Sequence, residues 1–432
     1  MTQVPQAQGL ARTLFGAGLI ATVVELAWYG SDDITHALTY AGRISGFVCL
    51  AAALAVIAAF GAFLDCLRHR PARYSGGVVL AGVLISLFFN LLLLALQIDG
   101  GGYTHFLLFW ALLIPWSCWA LWRLHRLGVW GSLPHPRGFA AGVVVSVVVA
   151  FGSFSYNHVY QPYKFPALVS TAVEFRPATV ADGVLSLPVV LRTRNRGQVA
   201  LYVAGSLFQV NGRHGDTRKE PRTADELRGD VEEEQWDLLR HTEVGAPAVD
   251  VLAQGRYILS GRLLQPGEES LSQKVVQIPL DAPYDVIAAN AVVVTLRADR
   301  ATLLTDLHRS TETSWTVPEW KKHPRDPDWV ASHRFRWPSV QYRSPVAHSN
   351  ALLEHSRPTR ELTVWWVLKP PTGESLWAPY LEYLIAPEGE DRAPPSPAAR
   401  RRMTERYGLS ATPSGAFIAP LAALVQQARA AD

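Results

Sequence analysis

Apolar residues run almost unbroken through five stretches of the first 160 positions, and no stretch of that length recurs afterwards. The stretches are 13–29, 44–64, 76–97, 104–122 and 138–156, each of 17 to 22 residues. At about 1.5 Å per helical residue, each covers the roughly 30 Å of hydrocarbon in a bilayer. The pattern predicts an α-helical transmembrane bundle over 1–160, followed by a part that must fold in water. Trp28, Tyr29, Trp122 and Tyr156 flank the stretches, where aromatic side chains favour the headgroup layer, and Pro115 alone interrupts one. The first stretch has the length of a secretory leader. Glu25, however, stands where small residues would prepare cleavage, and a further span follows about fifteen residues later, so it is expected to be retained.

Arginine sets the expected orientation, because positively charged connections stay in the cytoplasm. Arg12 precedes the first stretch, Arg68, Arg70 and Arg73 follow the second, and Arg123, Arg126 and Arg137 follow the fourth. The opposite connections hold only Arg43, with Asp32, Asp33, Asp99 and the run Gly100, Gly101, Gly102. The amino terminus is thus expected in the cytoplasm, and five crossings place everything after residue 160 outside. The cytoplasmic side is then reduced to short Arg-rich turns with no output domain of its own.

Inside the bilayer, small residues four apart allow helix backbones to approach. Gly138, Gly142, Ser146 and Ala150 form such a line in the fifth stretch, and Ala51, Ala55 and Ala59 form one in the second. They read as packing seams within the bundle, with a homodimer interface as the alternative. Of the polar intramembrane residues, Glu25 and Asp65 lie near ends of their stretches and are expected at the interface, where their carboxylates reach water. Asn90 lies deeper and is expected either to bond a neighbouring helix or to line a polar path.

Eight of the 40 basic residues and five of the 37 acidic ones lie in the first 160, leaving 32 of each in the remainder. A balanced surface offers no general attraction for nucleic acid. Cys49, Cys66 and Cys118 all lie in or beside spans, so the water-soluble part has no disulfides and depends on a packed core. Its stretches 168–175, 185–191, 200–210, 257–264, 275–278, 292–296, 362–368 and 377–385 are rich in β-branched and apolar residues between turn formers, which predicts strands of a mainly β domain over 161–386. Thr223 with Glu226 has the spacing of a capping box opening a helix through Val231, Leu238 and Leu239. Residues 387–432 form a Pro- and Arg-rich connector and a short amphipathic helix from Phe417 to Val425.

Asn195 and Gly197 end one strand, and Asn195, Arg196 and Gly197 are expected to turn through a positive φ. The next strand runs through Tyr202 and Phe208 to Gly212, Leu264, Pro266, Gly267 and Glu268 follow, and a strand closes at Ile278 and Pro279. On these residues, about a quarter of the chain, the protein resembles the immunoglobulin-like sandwich modules of bacterial lipoproteins and membrane proteins outside the cytoplasm. The resemblance implies binding or scaffolding rather than a reaction.

Beyond residue 300, Trp320, Trp329 and Trp337 interleave with Arg334, Arg336 and Arg343. Arginine and tryptophan together hold anionic or carbohydrate groups by paired hydrogen bonds and cation–π contact, which makes these six the candidate partner-binding residues. The plainer reading is a long loop whose tryptophans cover a sheet edge. No nucleophile elbow, His-Glu-x-x-His, paired-cysteine motif or phosphate-binding glycine loop occurs. His323, Asp326, Asp328 and His333, or His348, Glu354 and His355, have ligand residue types without a recognised metal spacing. No catalytic residue, metal site or cofactor is therefore assigned. The expected partners are the lipid bilayer and either another membrane protein or an anionic envelope polymer, with no nucleic acid. The expected role is a binding, scaffolding or sensory module of the bacterial cell envelope. A subunit of a transport complex, marked by a polar path at Asn90, and an envelope enzyme are the alternatives.

Overall fold

The computed structural model describes residues 4–67, 75–100, 102–129, 142, 149, 152–153, 156, 167–214, 220–232, 249–304, 311–315, 339–367, 381–387 and 396–431. Two compact units divide the chain: a helical one of Met1–Pro166, Asp299–Thr302 and Val346–Arg360, and a β-rich one of Ala167–Ala298, Leu303–Pro345 and Glu361–Asp432. The chain leaves the helical unit and returns to it twice.

The helical unit is built on α1 (Val4–His36), α2 (Tyr40–Leu67), α3 (Ser75–Gly100) and α4 (Leu107–Arg126). All four are long and apolar enough to cross a membrane. Most of the fifth stretch, including Gly138, Ser146 and Ala150, lies outside the described residues; Gly142 is described, with nothing within 4 Å of a Cβ built on it. In α2 the seam differs from the expected one. Ala51 and Ala55 point away from the other described helices, and the buried line is Gly42, Gly46, Cys49, Ala53, Val56 and Ala59. The reason is the crossing with α1. A Cβ on Gly46 would stand 2.8 Å from the Gly30 carbonyl oxygen, and one on Gly30 would stand 2.9 Å from the Gly46 oxygen. Two glycines therefore set the face that α2 turns inward. Lower in the bundle a Cβ on Gly82 would fall 2.4 Å from that of Ala59, and one on Gly18 would fall 1.9 Å from the Trp116 indole, whose Nε1 donates to the Leu14 carbonyl at 2.9 Å.

The β-rich unit is made of antiparallel sheets. In the first, β1 (Val169–Phe175), β3 (Val184–Asn195) and β2 (Thr179–Ala181) are neighbours, and β7 (Glu269–Pro279) pairs with β3. The second has β4 (Leu201–Arg213) between β5 (Val249–Gly255) and β8 (Val286–Arg297), with the two-residue β6 (Leu263–Leu264) also on β4. Its edge strands β14 (Ser410–Pro413) and β15 (Phe417–Pro420) both lie on β8. Alternation along β3 buries Leu185, Leu187, Val189 and Leu191 against Val203, Phe208 and Val210 of β4 and Ile287, Ala289, Ala291 and Val293 of β8. Leu421, Leu424 and Ala428 of the last helix, α8 (Leu421–Ala431), close the same core.

β4 is buried along nearly its whole length, which an alternating strand with one wet face would not be. Its second face meets a further layer: a Cβ on Gly205 would stand 2.9 Å from Val364 and 3.6 Å from Leu381. These belong to β12 (Arg360–Val367) and β13 (Leu381–Pro387), neighbours in a sheet that continues through β11 (Ser339–His348) to β10 (Thr311–Trp315), with β9 (Ala301–Leu303) also on β11. Three short helices are also described: α5 (Ala224–Glu232), α6 (Ala351–Ser356) and α7 (Pro397–Tyr407).

Several local expectations hold in detail. The Thr223 amide donates to Glu226 Oε2 at 2.7 Å and the Glu226 amide to Thr223 Oγ1 at 3.3 Å, the reciprocal bonds of a capping box at α5. Others do not. Residues 257–264 form no continuous strand, because Gly261 takes a φ of 83° and the segment folds back, its amide donating to the Val203 carbonyl. Phe417 and Ile418 sit on β15 rather than in the last helix; Pro420 keeps the preceding residue extended, and the helix starts after it. Asn195 has no positive φ. It is buried and works through its side chain, donating to the Val199 and Leu264 carbonyls at 2.8 and 3.1 Å and accepting the Gly197 amide at 3.0 Å. In the described β-rich unit the positive φ values fall at Asp182 and Gly183, in the tight turn from β2 to β3, and at Gly261, Gly267 and Gly408.

Candidate functional site

The most concentrated chemistry among the described residues is a column of polar side chains inside the helical unit. Thr22, Glu25, Tyr29 and Asp33 recur at intervals of three or four along α1, which puts all four on one face, and each is at most 4% exposed. On α3, Ser86, Asn90 and Gln97 share a face in the same way and are equally buried. α4 contributes Trp110 and Ser117, both fully buried.

The faces meet in two tiers. In the lower tier Thr22 Oγ1 and Ser86 Oγ share a hydrogen bond of 2.8 Å, and Ser117 Oγ donates to Ser86 Oγ at 3.2 Å, so one small hydroxyl on α3 ties three helices together. In the upper tier Trp110 Nε1 donates to Glu25 Oε1 at 3.0 Å. Asn90 lies against the same carboxyl and donates through Nδ2 to the Ser86 carbonyl at 2.8 Å. Glu25 Oε2 and Asn90 Oδ1 are buried without a hydrogen-bond partner.

Glu25 was expected at the interface. It is interior instead, because α1 continues to His36, about 16 Å beyond Glu25 by helical rise. Ser31 and Thr35 bond back to the helix, and Asp32 accepts from His36 Nδ1 at 2.7 Å, which lets a polar turn extend the apolar span. Asn90 is buried and bonds within α3 and toward α1.

Above the column the unit is completed by residues far along the chain. Asn350 caps α6, its Oδ1 accepting the Leu353 amide at 2.9 Å. Asp33 accepts the Ala351 amide at 2.5 Å, and Leu38 N donates to the Ser349 carbonyl at 3.0 Å. Leu352 and Leu353 then pack with Tyr29, Leu93, Leu96 and Trp110 in one apolar cluster directly over the polar tier. Arg357, only 7% exposed, pairs with Asp99 at 2.8 Å, and Arg360 donates to the Gly100 carbonyl at 3.0 Å. Residues 346–360 are thus held by charge, helix capping and apolar burial at once.

His348, Glu354 and His355, which have ligand types in sequence, lie in this segment. The His348 amide and Nδ1 both meet Glu354 Oε2, at 2.6 and 3.1 Å. Burial pushes His348 below the usual histidine range, against the pull of Glu354; the two bonds from His348 in turn hold Glu354 below the usual carboxylate range despite its own burial. His355 turns the other way and packs its ring against Trp28, Tyr29 and Phe106 at centroid separations of 4.9 to 5.6 Å. No group of three or more metal-ligand side chains converges among the described residues.

Of the six candidate partner-binding residues, Trp320, Trp329, Arg334, Arg336 and Trp337 lie outside the described residues, as do His323, Asp326, Asp328 and His333. Arg343 is on β11, 7% exposed, with its guanidinium 3.6 Å from Glu361. Thr22, Ser86, Trp110, Ser117 and Asp33 were not singled out from sequence. The signal was present for α1 and α3, where polar residues repeat at helical spacing on a single face.

No family model matches the chain, and no curated protein matches it. Among solved structures, Spo0M, a sporulation control protein from Bacillus subtilis, aligns over 61% of this chain and 95% of its own at 11% identity. The TM-score is 0.18, at which the alignment carries no argument about fold or function.

Proposed function

We propose that the chain is an integral membrane protein of a bacterial cell envelope, with its amino terminus in the cytoplasm and its β-rich part outside, serving as a binding, scaffolding or sensory module. The observation that carries this reading is the seat of residues 346–360. They contact α1 at Asp33, α3 at Asp99 and Gly100, and the cluster containing Trp110 near the start of α4. These are the arginine-poor ends of the helices; Arg12, Arg123 and Arg126 stand toward the other ends. α4 finishes at the arginine-rich end, whereas residues 346–360 sit at the other. Stretch 138–156 has the length to cross between the two ends, which supports a fifth span. Strands β11 and β12 continue directly from the two ends of the seated segment, which favours the outside for the β-rich part.

The two antiparallel sheets sharing one core fit an immunoglobulin-like sandwich, and such modules bind or scaffold. A membrane or polymer partner would meet this part, with the short arginine-rich turns alone facing the cytoplasm. A subunit of a transport complex is the second reading, favoured by the polar column around Glu25 and Asn90.

Topology is tested by labelling single cysteines in a chain otherwise free of them. Gln273→Cys, exposed on β7, is expected to react with a membrane-impermeant maleimide in intact cells, whereas native Cys66 at the far end of α2 reacts only after permeabilisation. Labelling of Cys66 alone in intact cells would invert the assignment.

A further inference from the structure

Two acceptors of the upper polar tier have no hydrogen-bond donor. Glu25 Oε1 is satisfied by Trp110, but Glu25 Oε2 and Asn90 Oδ1 are both buried acceptors with nothing to accept from. The Asn90 amide cannot be turned over to correct this, because its nitrogen is fixed by the bond to the Ser86 carbonyl and an oxygen there would face another oxygen. No Lys or Arg is buried among the described residues of the four helices. The other titratable groups facing Glu25 are Tyr29 on α1 and Cys49 on α2, while α3 and α4 present Asn90 and Trp110, which do not titrate. A bare carboxylate here would be a buried charge with no cation beside it, far more costly than a neutral acid.

We propose that Glu25 is a proton-binding site: its carboxyl carries a proton on Oε2 and donates it to Oδ1 of Asn90. One proton then satisfies both orphan acceptors and cancels the charge. Because Trp110 holds the other oxygen and Asn90 is anchored to Ser86, the protonated carboxyl joins α1, α3 and α4 at a single point. Removal of the proton leaves a bare carboxylate between the helices, with Oε2 and Asn90 Oδ1 again without a donor. The bundle therefore has a tight and a loosened form that differ by one proton. This inference rests on the interior of the bundle alone and does not depend on the orientation proposed above.

The test is infrared difference spectroscopy of the full chain in lipid nanodiscs, with Glu25→Gln as the reference. The wild type is expected to show a protonated carboxyl C=O band at neutral pH that Glu25→Gln lacks, and Asn90→Leu is expected to move that band to the frequency of a free acid. Glu25→Gln, whose amide can still accept from Trp110 and donate to Asn90, is expected to keep the wild-type thermal midpoint, whereas Glu25→Ala lowers it. A carboxylate band in place of the acid band at neutral pH overturns the proposal. So does an acid band that sodium abolishes and its removal restores, since that assigns the two oxygens to a monovalent cation. The Asn90→Leu shift keeps the test decisive should Glu25→Gln fail to fold.

Discussion

Leu352→Asp is expected to release residues 346–360 from the helical unit. Leu352 is 2% exposed and packs with Tyr29, Leu93 and Trp110. Truncating a buried leucine already costs roughly 2–5 kcal/mol, and a carboxylate in its place adds an unpaired buried charge. Against this stand the Asp33 bond to the Ala351 amide, the bonds of Leu38 to Ser349 and of Arg360 to Gly100, the His355 ring contacts, and the Arg357 pair with Asp99, whose carboxylate is 58% exposed. A solvated pair of that kind holds on the order of 1 kcal/mol or less. The penalty therefore exceeds what the remaining contacts can offset, and six residues of helix are too few to persist alone. Hydrogen exchange is the measurement: amide protection across 346–360 should fall by two or more orders of magnitude, with protection in β3, β4 and β8 retained. Unchanged protection of the Ala351 and Leu353 amides would show that the segment is not seated as described.

Gly46→Leu is expected to be nearly as damaging, through backbone rather than side chain. A Cβ at residue 46 meets the Gly30 carbonyl at 2.8 Å and the Ile34 amide at 2.9 Å, and neither atom can rotate away. α1 and α2 must separate, which breaks the Gly30–Gly46 crossing and withdraws α1 from the polar column. Overpacking of this kind costs about 3 kcal/mol, read as a drop in the thermal midpoint in mild detergent. Gly61→Ala is the matched control. Nothing lies within 4 Å of a Cβ there, so this change should be neutral or stabilise by up to about 1 kcal/mol through helix propensity. Equal tolerance of both substitutions contradicts the glycine-set crossing.

What the sequence made legible follows from how local each determinant is. The four long helices are written as apolar runs, and the Thr223 and Glu226 box is complete within four residues. The strands at 169–175, 184–195, 201–213 and 286–297 carry their own apolar pattern. The seat of 346–360 has no such local signature. Its apolar content is the adjacent pair Leu352 and Leu353, and its meaning comes from Asp33 and Asp99, more than 250 positions away. The end of α1 is hidden for the opposite reason, since polar residues after Tyr29 look like the end of an apolar run until their partners are known. Glu25 was accordingly placed at a surface it does not reach. The column itself was half legible: Thr22, Glu25, Tyr29 and Asp33 have the spacing of one helix face, but Ser86, Trp110 and Ser117 join it only through packing.

The return of a distant segment to the arginine-poor ends of the helices underlies both the topology and the seal over the polar column. A Cβ on Gly100 would stand 3.5 Å from that of Arg357, within the range that a disulfide spans. With the three native cysteines replaced, Gly100→Cys together with Arg357→Cys should oxidise to a disulfide in intact cells, without added catalyst, in an oxidising envelope compartment. Failure to form under external oxidant, with both thiols open to a small maleimide, would contradict the placement of residues 346–360 on the bundle.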